Sequence, residues 1–71
     1  MSVYEAAELL ATAAGDGVPA REVMNDPRAR ERAYMAAAKS CHPDVDGGDR
    51  DVFERITAAR DLLAAAAKAG L

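Results

Sequence analysis

A chain of 71 residues has room for one small domain, whose limited core leaves it marginally stable. A net charge of −3 argues against general nucleic-acid binding, and a single cysteine, Cys41, excludes an intrachain disulfide. No apolar stretch approaches the roughly 20 residues a membrane span needs, so neither nucleic acid nor membrane is expected as a partner.

Trp is absent and alanine, the best helix former, is abundant, which predicts an all-α fold with closely approaching helices. Three helical segments are expected. The first opens at Ser2-Val3-Tyr4-Glu5, an S-x-x-E capping box, and carries Val3, Ala7, Leu10, Ala11 and Ala14 on one stripe. Gly15 and Gly17 end it, and a connector from Val18-Pro19 has room for one short turn, Ala20 to Met24. The second helix starts where Asp26 can cap and Pro27 needs no amide hydrogen. It stops near Cys41, because Pro43 pushes His42 out of the α region. The loop His42-Pro43-Asp44-Val45-Asp46-Gly47-Gly48 follows, with Asp49 or Asp51 as the cap of a third helix. Phe53, Ile56, Ala59, Leu63 and Ala66 form that helix's apolar stripe, and Gly70 is its terminator. Phe53, Ile56 and Leu63 are expected to meet Leu10, Ala33 and Ala37 in the core.

Charge is unevenly spread. Residues 1–26 hold Glu5, Glu8, Asp16, Glu22 and Asp26 against Arg21, whereas the second helix holds Arg28, Arg30, Arg32 and Lys39 against Glu31. A basic helix on an acidic domain points to an acidic protein surface as partner, with a plain solvated face as the alternative. The lone thiol fits a reducing compartment, and the first residues lack the basic-then-apolar pattern of a secretion signal, so a cytoplasmic protein is expected. The Ala-rich, Arg-over-Lys composition suits a high-GC genome, bacterial or phage.

Site chemistry of other kinds fits poorly. Cys41 and His42 are adjacent, so they do not face each other on a helix as nucleophile and base would. One Cys and one His do not make a zinc site. Counted from Asp44, a calcium loop would place Asp49 and Arg55 where Gly and Glu belong. A helix-turn-helix DNA binder would face phosphates with its last helix, and here that helix has balanced charge behind an acidic loop. Neither a metal nor any other cofactor is expected.

At His42-Pro43-Asp44 the sequence resembles the J-domain family of DnaJ-type co-chaperones. Tyr34 lies eight residues before His42, Lys39 is in the same helix, and Gly47-Gly48-Asp49, Phe53-Glu54-Arg55-Ile56, Ala59 and Leu62-Leu63 follow the family's third-helix pattern. The likeness covers about residues 29–63. It implies a single J-domain over residues 1–71, an antiparallel hairpin of the second and third helices with the first packed across it. It also implies a module that is not itself an enzyme: it binds a DnaK-type heat-shock chaperone and stimulates the chaperone's ATP hydrolysis through the His-Pro-Asp loop. The implied partner-binding residues are His42, Pro43, Asp44, Tyr34, Arg28, Arg32 and Lys39. For Tyr34 a core-padding role is the alternative.

Pro43 fixes one backbone dihedral, Asp44 can accept hydrogen bonds from loop amides or a partner's arginine, and His42 can bond through either ring nitrogen. Some positions depart from the family. Met35 and Ala36 stand where basic residues are usual, Ala37 where a large aliphatic is, and Cys41 and Arg60 where aromatics are. The missing basic pair keeps open a second function: an adaptor or competitor that binds a chaperone, or another protein, without activating it.

Overall fold

The computed structural model describes residues 1–42, 44 and 48–70, and these form four α-helices and no strand. They are α1 (Val3–Ala14), α2 (Ala20–Asn25), α3 (Pro27–Cys41) and α4 (Arg50–Lys68). None is long and apolar enough to cross a membrane.

Local chemistry sets each boundary. The Ser2 Oγ accepts the Glu5 amide at 3.1 Å, and the Ser2 amide donates to Glu5 Oε1 at 3.1 Å, closing the expected box. The Ser2 amide, above all, holds the Glu5 carboxyl below its ordinary value. Gly15 ends α1 in the left-handed region at φ 62°, donating its amide to Ala11 O. The connector does more than the single turn expected of it: six residues behind Pro19 form α2, whose Val23 is fully buried. Asp26 then serves both neighbours. Its amide donates to Glu22 O at the end of α2, and its Oδ1 accepts the Arg28 amide at 3.0 Å to cap α3. Of the two possible caps for the last helix, Asp49 is used; its Oδ1 accepts the amides of Asp51 and Val52. Asp51 lies inside the first turn instead. Ala69 follows the last helical residue, and Gly70 adopts φ 84°.

α3 and α4 run antiparallel. The Asp49 amide donates to Cys41 O where the pair is joined, while Tyr34, earlier in α3, meets Thr57, later in α4. α1 packs against both. The largest fully buried side chains are Leu10, Val23, Ile56 and Leu63, and around them Ala6, Ala7, Ala33, Ala37 and Ala59 let the helices approach closely. Phe53, expected in the core, is only half-buried and packs on its edge, in the first turn of α4 beside the loop.

Among the described residues Arg30 is the one charged residue in the buried set, 6% exposed. Its Nε donates to Val23 O at 3.1 Å and its Nη2 to Met24 O at 3.0 Å. These carbonyls belong to the last turn of α2, which has no partners of its own for them within so short a helix. The guanidinium thus ties α2 onto α3.

Candidate interaction surface

The loop end of the hairpin is built by α3 running out. The His42 amide still donates to Ala38 O, but its ψ of 135° has already left the helix. That turn lays the imidazole edge-on against Phe53, with centroids 4.9 Å apart and planes at 64°. The Asp44 amide donates to His42 Nδ1 at 3.2 Å, and Asp44 Oδ2 lies 3.7 Å from the same nitrogen. In the neutral ring, accepting at Nδ1 leaves the hydrogen on Nε2, so His42 offers a donor away from its own loop. The His42 side chain is 45% exposed and that of Asp44 91%. The loop sequence therefore splits into a half-packed imidazole and an almost fully solvated carboxylate. Pro43 lies outside the described residues, as do Val45, Asp46 and Gly47 of the acidic run considered for calcium. A shallow depression beside the loop is lined by His42, Asp44, Phe53, Arg50 and Glu54, the last two paired at 3.7 Å.

Cys41 is half-buried, and its thiol donates to Ala37 O at 2.8 Å, one helical turn back. Among the described residues no group of three or more His, Cys, Asp or Glu side chains could hold a metal ion.

The basic helix divides in two. Arg28, Arg32 and Lys39 are exposed and form no ion pair among the described residues. Arg30 faces the opposite way and is consumed by the fold, so it does not belong to the exposed charge of α3. Its spacing signals this: Arg30, Ala33 and Ala37 recur as a buried helical stripe does.

Tyr34 lies at the border between those faces, half-buried against α4. Its hydroxyl is 3.1 Å from Thr57 Oγ1. Thr57 gives its own hydroxyl hydrogen to Phe53 O at 2.9 Å, so Tyr34 is the donor of the pair. The Arg60 guanidinium sits 4.1 Å above the ring centroid and also reaches Asp61 Oδ1 at 3.2 Å. No spacing in the sequence pairs Tyr34 with Thr57 or Arg60, since the three meet only across the hairpin.

Comparison of the chain with protein-family models, with curated proteins and with solved structures finds no match.

Proposed function

We propose that the chain is a J-domain co-chaperone that docks on a DnaK-type chaperone and stimulates its ATP hydrolysis through His42-Pro43-Asp44. The observation that carries this reading is the pairing of two features on one element. The exposed basic face of α3 leads directly to a loop in which Phe53 packs against His42, and the His42 ring in turn accepts the amide of the solvated Asp44. The charges of Arg28, Arg32 and Lys39 attract an acidic surface and orient the encounter. Tyr34 sits at the edge of that face. Asp44 then offers a carboxylate to an arginine of the chaperone, and His42 a ring donor. The bond-breaking groups belong to the partner.

A second reading is favoured by Met35 and Ala36, which add no charge in the middle of the docking helix. In it, the chain binds a chaperone without activating it.

Single-turnover ATP hydrolysis by a purified DnaK-type chaperone, with and without the chain, tests both. The co-chaperone reading expects a faster turnover that His42→Gln and Asp44→Asn each abolish. Asp44→Asn should leave stability within about 0.5 kcal/mol of the parent. His42→Gln loses the edge-on contact with Phe53 and should cost about 0.5–1.5 kcal/mol while keeping the helical circular dichroism. Binding without acceleration would support the adaptor. Collapse of the fold in either variant would make the tripeptide a structural clasp.

A further inference from the structure

Met35 is 68% exposed, one of the few large apolar side chains the fold leaves in water. Its neighbours are not random. Arg28, Arg32, Met35 and Lys39 recur at steps of four, three and four residues, and His42 at the helix cap is three further on. At about 100° per residue these positions fall within an arc of about 80°. The buried positions Ala29, Arg30, Ala33 and Ala37 occupy the opposite side of the helix. Glu31, the only acid of α3, is about 60° from the middle of that arc and about 20° beyond its edge. The exposed face is therefore a straight row of cations interrupted by one flexible apolar side chain. Arg32 and Lys39 are about 10 Å apart along the axis, with Met35 between them.

We infer that Met35 is the apolar centre of the docking face, and that the partner surface it fits carries an apolar pocket flanked by carboxylates spaced about 10 Å apart. Charge complementarity selects this occupant. The cations on either side make no ion pair among the described residues, and a purely acidic patch would leave the methionine without a partner. Met is suited to the role because its unbranched thioether adapts to irregular pockets. Two copies of this face would repel each other, which argues against self-pairing. The inference rests on the proposed chaperone reading and specifies how that partner is recognised.

The test is the Kd between the full chain and a purified DnaK-type chaperone, at low and high salt. Met35 makes no core contact, so its variants should keep the parent's circular dichroism and melting. Met35→Ala should weaken binding about tenfold, with the slope of affinity against salt unchanged, because apolar area and not charge is removed. Met35→Leu should stay within about twofold of the parent. Met35→Lys should bind more weakly than the parent, since it drives a charge into an apolar pocket. Tighter binding by Met35→Lys, or equal binding by Met35→Ala, overturns the inference and leaves the chaperone reading standing. No binding by the parent overturns both. A dimer of the chain alone in sedimentation equilibrium, abolished by Met35→Ala, would identify a second copy as the occupant and overturn it too.

Discussion

Arg30 and Arg32 are two residues apart on one helix and have opposite fates. Arg30 is shut in beneath α2 and gives its hydrogens to Val23 and Met24 carbonyls, while Arg32 stands in solvent. The difference is one of rotation about the helix axis, about 200° between them. It teaches that the charge of α3 is not one property. One arginine is structural, since its forked head matches two carbonyls that a short helix leaves open. The other three cations stand in solvent without an ion pair among the described residues.

The largest effect should come from breaking the buried side. Arg30→Ala removes two charge-assisted hydrogen bonds and a packed stem, and should cost about 3–4 kcal/mol in urea denaturation. For a domain of this size, with a total stability of about 4–10 kcal/mol, that could detach α2 or unfold the chain. Arg30→Lys should recover less than half, because an ammonium lacks the fork. Arg32→Ala should stay within about 0.5 kcal/mol of the parent. Equal costs for Arg30→Ala and Arg32→Ala would erase the distinction between the faces.

The alanines of the buried side give the next effect. Ala37 is fully buried where α1, α3 and α4 converge. Ala37→Leu forces extra volume into that closely packed seam and should cost about 1–3 kcal/mol. A stabilised Ala37→Leu, read by the urea midpoint, would mean that the seam holds unfilled space.

Those two positions also show what the sequence reveals and what it hides. Helix boundaries were legible because they are local: the Ser2–Glu5 box, the Asp26-Pro27 start and the stop before Pro43 each depend on a few adjacent residues. The stripe of Ile56, Ala59 and Leu63 was legible from period alone, whereas the meeting of Leu10, Ala33 and Ala37 was expected from the helix hairpin. Phe53 was placed too deep because period assigns a face but not a distance along the axis, and this residue lies in the first turn of α4, at the edge of the core. Arg30 was counted only as part of the charge of the second helix, because composition records a charge and not its hydrogen-bond partners. Of the candidate site, the exposed residues were legible, while the setting of His42 was not. Its contact with Phe53 joins the end of one helix to the start of the next, which no residue spacing encodes.

The smallest effect lies at the border of the two faces, where Arg60 covers the Tyr34 ring. Two interactions compete to explain where this guanidinium sits. One is the ring, 4.1 Å from Cζ to the centroid; the other is Asp61, 3.2 Å away but 66% exposed. A solvated pair between neighbouring residues is worth little, since water screens it and two side chains must be held still. The ring contact removes one face of Tyr34 from water and should contribute about 0.5–1 kcal/mol. Double-mutant cycles separate them. Arg60→Ala combined with Tyr34→Ala should show a coupling of about 0.5–1 kcal/mol, whereas Arg60→Ala combined with Asp61→Ala should show less than about 0.3 kcal/mol. Raising salt should reduce the second coupling and leave most of the first. Tyr34→Phe keeps the ring and so should preserve the Arg60 coupling, while losing the bond to Thr57 Oγ1. If the Asp61 coupling proved the larger, Arg60 would be held by its neighbour, and Tyr34 would be fixed to α4 by its hydroxyl alone.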